Sequence, residues 1–298
     1  MKKILALAIL LPTLVITGCY YGPCMNGSGP IVTDVRDISG FTGVRSNGSF
    51  EVVVSQAEEF SVEVVAYENL LPIIETYVSG YTLVVETKNN SCYKSSPSIK
   101  IYVSMPDLGV LELNGSGSII ADVAESQVFE CVNNGSGTIS VDAVYSDNFH
   151  LANSGSGLVD VKEIHANEVR FVQSGSGIID TGEILDSETL SIKHSSSGNV
   201  RTTLTDGLKL NAILSGSGRI DLSGEAVEAD YTLNSSGSID ALNLMTYDAI
   251  AASSGSGKIF VWATEFLEVT ISGSGDIIYR GDPQISFRNT GSGSLRPY

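Results

Sequence analysis

Between residues 112 and 298 the chain alternates apolar and polar positions in short runs, and each run sits at a fixed distance from a glycine-rich tripeptide. Gly-Ser-Gly, or a close variant, ends at Gly117, Gly137, Gly157, Gly177, Gly198, Gly218, Gly237, Gly257, Gly275 and Gly293, with successive spacings of 20, 20, 20, 21, 20, 19, 20, 18 and 18. Two residues after each of these glycines comes an aliphatic side chain: Ile119, Ile139, Val159, Ile179, Val200, Ile220, Ile239, Ile259, Ile277 and Leu295. The residue before it varies freely, which is the period-two signature of a strand with one buried face. Eight and six residues before the closing glycine stand further apolar pairs, such as Phe129 with Cys131, Phe149 with Leu151, Val169 with Phe171 and, last, Ile285 with Phe287. Cys131 fills a slot held elsewhere by Leu, Phe or Val and reads as core.

A repeat of this length cannot bury its apolar face alone; stacking like positions on like does so. The expected fold is therefore an all-β, parallel β-helix-like solenoid of about ten rungs of 18–21 residues, each with two or three short strands. At a strand spacing of about 4.8 Å its nine intervals span roughly 43 Å. Of the 31 glycines, 18 belong to the turns, so they punctuate a fold and do not form a flexible linker. Two roles are expected of them, positive φ at the corner and close approach of neighbouring rungs. Three residues before each closing glycine the chain is always Asn, Ser or Thr, from Asn114 to Thr290. These side chains are expected to form a polar ladder that satisfies the corner backbone. One position earlier, Asn133, Asn153, Gln173 and His194 widen the ladder in the first half before Leu214 and Leu233 replace them.

Residues 31–111 are strand-rich but lack the repeat. Phe50–Val54, Phe60–Val65, Tyr81–Val85 and Ile99–Val103 are dense in β-branched and aromatic residues, and only Glu68–Thr76 hints at a helical turn. This section reads as a cap or as the first rungs. Residues 19–30 read as a tether. Residues 1–18, a basic start followed by the apolar run Ile4–Ile16 and Thr17-Gly18, read as a lipoprotein signal peptide that leaves Cys19 as the lipid attachment site. The run is too short to span a bilayer.

Phe41-Thr42-Gly43-Val44 leading into Val52–Val54, the segment Tyr102–Leu108, the Gly-Ser-Gly turns and the stretch Val261–Pro283 together resemble the putative auto-transporter adhesin head GIN domain family of bacterial envelope lipoproteins. The likeness covers about residues 38–296. It implies a β-solenoid on a lipid anchor in the outer membrane, at the cell surface or its periplasmic face, and carries over no catalytic residues.

Charge narrows the functions. Lys plus Arg number 17 and Asp plus Glu 34, a formal charge of −17, which argues against nucleic acid. Four cysteines with no Cys-x-x-Cys pair do not make a disulfide scaffold. Cys24 and Cys92 either pair in an oxidising envelope or stay free thiols. His150, His165 and His194 fall at unrelated rung positions, and His194 reads as part of the polar ladder. Asp160, Asp180, Asp221 and Asp240 recur three residues after the closing glycine, as a solvated acidic face. No catalytic group, cofactor or metal site is expected. Tyr20, Tyr21, Tyr93, Phe260 and Trp262 are the candidate ligand-contact aromatics, with Phe260 and Trp262 preferred and a corner-packing role for Trp262 as its plainer reading. The resulting expectation is a non-catalytic envelope protein that binds a glycan or protein ligand. A structural or regulatory envelope protein without external ligand is the alternative, and a carbohydrate-active enzyme a remote third.

Overall fold

The computed structural model describes residues 24–298. The signal-like run, Cys19, Tyr20 and Tyr21 lie outside the described residues. Strand occupies 67% of the described residues, in a β-solenoid of about nine turns with a strand-rich N-terminal section and no α-helix among them. Each rung stacks on the next in parallel and in register, so that Thr138–Asn153 pairs with Leu158–Gln173 from Thr138↔Leu158 to Asn153↔Gln173. Side chains therefore meet their own kind along the axis, and this converts a sequence period into continuous columns.

Two short strands per rung occur only in places, as in Ser118–Glu125 followed by Val128–Asn133. Most rungs are instead one bent strand of 14 to 16 residues, such as Thr138–Asn153 or Ser238–Ser253. Between Thr138–Asn153 and Leu158–Gln173 the pairing keeps its register through the bend, whereas in later rungs it shifts there, as between Leu204 and Leu208 and between Ala241 and Met245. Val144, Ile164, Ile184, Leu204 and Leu244 line the inside of the bend, fully buried. The aliphatic column after the turns is fully buried from Ile119 to Ile277. Cys131 is fully buried and burial pushes its thiol up to about 12. Phe149 stacks on Phe129 with ring centroids 5.6 Å apart.

The N-terminal section both begins the stack and closes it. Gly43–Ser46 and Glu51–Gln56 lie parallel beneath Val110–Leu113 and Ser118–Glu125. Below them Thr82–Thr87 and Lys100–Met105 still run parallel, and beyond these the direction reverses. Ile74–Ser79 runs antiparallel to Thr82–Thr87, and Ser61–Tyr67 lies antiparallel between Lys100–Met105 and Ile31–Arg36. The expected helical turn is the single 3₁₀ turn Leu71–Ile73. Cys24 and Cys92 form a disulfide across 68 residues, beside the short pairing of Met25–Asn26 with Tyr93–Lys94.

Three sequence expectations are corrected. No Gly-Ser-Gly glycine has positive φ; that conformation belongs to Gly29, Gly40, Gly80, Gly207, Gly224 and Gly281. The turn glycines are required by close approach alone, since a Cβ on Gly137 would stand 2.0 Å from the carbonyl oxygen of Gly117 one rung below. The ladder three residues before the closing glycine is also not the one that serves the corner backbone. Its members face solvent and bond to one another, with Asn134 Nδ2 donating to Asn114 Oδ1 at 2.9 Å and Ser174 Oγ to Ser154 Oγ at 3.1 Å. The corner carbonyls are reached from inside, by the next column inward. Finally, Ile285 and Phe287 continue the core pattern in sequence but are exposed, because no described rung lies beyond them to cover them.

Candidate functional site

The outward column three residues after each closing glycine carries the recurring aspartates. In register it runs Ile120, Ser140, Asp160, Asp180, Arg201, Asp221, Asp240, Phe260 and Ile278, the last of which is buried. Parallel pairing puts consecutive members about 4.8 Å apart on one flat face. The face is not a uniform acidic surface. Arg201 Nη1 donates to Asp180 Oδ2 at 2.8 Å. Arg219, two residues before Asp221, bonds through Nε to Asp221 and through Nη2 to Asp240 Oδ2 at 2.7 Å. The Asp221 bond holds the Arg219 guanidinium's pKa above its ordinary value.

Arg201, Arg219, Asp221, Ser223, Asp240 and Asn243 line an open cleft of about 250 Å³ over the buried Leu222. Phe260, half-buried, follows Asp240 in the column and borders this polar group with an aromatic side chain. Exposed ion pairs of this kind contribute about 0–1 kcal/mol each, so their donors and acceptors exchange readily for those of a ligand. Carboxylates, guanidinium groups and an amide beside an aromatic ring match the chemistry of a polyhydroxylated ligand, which offers both hydroxyl groups and an apolar ring face.

Phe260 therefore sits where the sequence placed it, on the outward side. Trp262 does not present a free face. It is half-buried where the chain turns out of the flat strand, and the Arg280 guanidinium lies 4.0 Å from its ring centroid. Arg280 is held there in part by donation to the Leu242 carbonyl at 3.4 Å. Tyr93 is no surface aromatic either: it is half-buried and stacks on Phe50 at 5.9 Å, and burial pushes its phenol up to about 12. Reading the chain for aromatics and aspartates missed Arg201, Arg219 and Asn243. The signal was present, because Arg201 occupies the aspartate column and Arg219 lies one strand position from the core column.

The histidines do not converge. His194 is buried in the corner column, with Nε2–H donating to the Gly198 carbonyl at 2.6 Å. His165 stacks on Tyr145 and meets Asp186 at 2.9 Å on another flank. Among the described residues no group of three or more His, Cys, Asp or Glu side chains is placed to hold a metal ion.

A family model described as "Putative auto-transporter adhesin, head GIN domain" matches residues 40–213 and again residues 185–283. Among solved structures, a putative adhesin from Parabacteroides merdae is similar at 18% identity and a TM-score of 0.53, over 93% of this chain and all of that one. A putative adhesin from Parabacteroides distasonis is similar at 20% identity and a TM-score of 0.50, with the same coverage. A further structure from that species, titled a putative lipid binding protein, is 26% identical at a TM-score of 0.48, over 93% of this chain and all of its own. A comparison with curated proteins found no match.

Proposed function

Because the chain belongs to the putative auto-transporter adhesin, head GIN domain family, we propose that it is a non-catalytic, lipid-anchored adhesin of the bacterial outer membrane that binds a surface glycan. The anchor is Cys19, left at the mature N-terminus once residues 1–18 are removed. The glycan meets the outward face of the later rungs. One observation carries this reading: Arg201, Arg219, Asp221, Asp240 and Asn243 converge on one cleft with Phe260 next in the same column. A protein ligand is the other occupant of such a face. The family and the structural neighbours are named as adhesins and not as enzymes, which supports the non-catalytic reading.

A second reading, a structural envelope protein without external ligand, draws on the mutual pairing of Arg201, Arg219 and their aspartates, which leaves those charges already satisfied.

The test is a glycan array probed with the purified chain, alongside Phe260→Ala and Asp240→Asn. Binding that both variants weaken at unchanged melting temperature supports the glycan site. Binding that neither changes moves the site elsewhere, and an absence of glycan binding favours the structural reading. Protease treatment of intact cells tests the address: cleavage agrees with surface exposure, and protection until lysis puts the protein in the periplasm.

A further inference from the structure

The two ends of the solenoid are built differently. At the N-terminal end the last strands are antiparallel, and the inward side of Ile31–Arg36 carries Asp34 and Arg36, paired at 2.8 Å. An inward charge pair over the last core layer is a device that blunts a sheet edge. The other end has no such device among the described residues. Gln284–Asn289 pairs only with Lys258–Ile271, and Leu295–Pro297 only with Asp276–Arg280. Their outer backbone edges are open.

The core is open there too. Ile285 and Phe287 are 38% and 49% exposed, whereas Leu267 and Val269, their partners one rung inward, are fully buried. Solenoids ordinarily close with a polar terminal repeat. An uncovered edge over exposed apolar side chains is a template for another strand.

We propose that this end is a self-association surface, and that its occupant is the same end of a second copy, related by a two-fold axis. Three observations select that occupant. An edge of alternating N–H and C=O groups is complementary to itself when run antiparallel, so two copies satisfy one another without a separate partner. With Phe287 opposite Phe287 of the second copy, Ile285 meets Asn289 and Arg288 meets Ser286, so no like charges face each other across the strands. Charge also distinguishes this end from the flanks. The chain as a whole carries −17, which pushes two copies apart side by side. Around the open end Arg280, Arg288 and Arg296 stand against Asp276 and Asp282, so its charges are mixed in sign although the chain as a whole is strongly acidic.

The dimer rests on this geometry alone. Its use rests on the lipid-anchored adhesion reading: with anchors at the N-terminal ends, the two open ends meet farthest from both membranes. Two cells would then be joined through identical molecules.

Sedimentation velocity of the purified chain across the micromolar range tests the dimer. The expected result is a monomer–dimer equilibrium that stops at two. Phe287→Asp is expected to raise the dissociation constant at least about tenfold, which corresponds to about 1.4 kcal/mol. Val35→Asp, at the opposite end, leaves it unchanged. Arg288→Glu, on an exposed side chain, weakens the dimer without burying a charge and serves if Phe287→Asp does not fold. Under mild oxidant Phe287→Cys cross-links to a covalent dimer, because the two-fold sets that residue against itself. A monomer at all concentrations, growth beyond two, disruption by Val35→Asp, or failure of Phe287→Cys to cross-link overturns the proposal. Mixing two differently labelled populations of cells that display the chain tests its use. Mixed clumps lost with Phe287→Asp support it. A dimer in solution without clumps retains the self-association and removes the cell-joining role.

Discussion

The corner of the solenoid exists in two chemical versions within one chain. From Asn133 through Asn153 and Gln173 to His194 its inner column is polar; at Leu214, Leu233 and Ile271 it is apolar, with Ser253 between the last two. All of these side chains are buried. In the polar version each side chain donates to the carbonyl of the glycine four residues on: Asn133 to Gly137 at 3.0 Å, Asn153 to Gly157 at 3.1 Å and Gln173 to Gly177 at 2.7 Å. Yet the Gly157 carbonyl already accepts from Ile178 N–H of the next rung at 3.0 Å, and in the apolar version the Gly218 carbonyl accepts from Ser238 N–H at 3.1 Å. The backbone is satisfied in both halves. The glycine carbonyl thus answers a need of the buried amide and has none of its own. The corner needs a side chain of the right volume; polarity is tolerated where the carbonyl is in reach.

The largest effect should be common to both halves. A Cβ would stand 2.0 Å from the carbonyl oxygen one rung below at Gly137 and equally at Gly257. Gly137→Ala and Gly257→Ala are each expected to cost more than about 3 kcal/mol, or to prevent folding, because backbone in a stacked ladder cannot retreat. Chemical denaturation checks this, and a clear inequality between the two would tie the glycine requirement to corner chemistry.

Truncation should separate the halves. Leu233→Ala removes apolar volume and is expected to cost about 2–5 kcal/mol. Asn153→Ala removes an amide whose Oδ1 has no partner, and is expected to cost about 1–2 kcal/mol. The reverse order in thermal melts would mean that hydrogen bonds specify the corner.

Asn153→Leu, which gives the polar half the apolar occupant, should stay within about 1 kcal/mol of the parent in either direction, since replacing a buried polar group by an apolar one of similar size is close to neutral. A loss as large as that of Leu233→Ala would overturn the equivalence.

The smallest effect is a pH slope. Burial lowers the His194 pKa below its ordinary 6.5, against the Gly198 carbonyl, which favours the charged form. The unfolded chain then takes up a proton more readily than the folded one, so stability falls as pH drops below about 6.5. Melting temperature followed from neutral to mildly acid pH should fall more steeply for the parent than for His194→Leu. Parallel curves would mean that His194 does not contribute.

How far the sequence could be read differs from column to column. The core column from Ile119 to Ile277 was legible because an in-register parallel stack turns a linear period directly into a buried face, with no long-range choice involved. The inward turn of Asn133 and its successors was half-legible: their shared spacing marked them as a ladder, but alternation alone could not say that this column, and not the one three residues before the glycine, points inside. Phe260 was placed correctly on the outward side for the same period-two reason. Arg219 escaped notice because its reach to Asp240 depends on the spacing between rungs.

By itself, then, the sequence determined the solenoid, its period, its core residues and the position of its glycines, because each is a local pattern repeated until it closes on its neighbour. The tertiary structure alone decided why the glycines are there, namely backbone approach without positive φ. It also joined Cys24 to Cys92 from across 68 residues, laid Arg280 over Trp262, and left Ile285 and Phe287 uncovered at one end. A pattern fixes which side of a strand a residue occupies, but what lies against that side, or fails to, depends on segments brought together only when the stack forms.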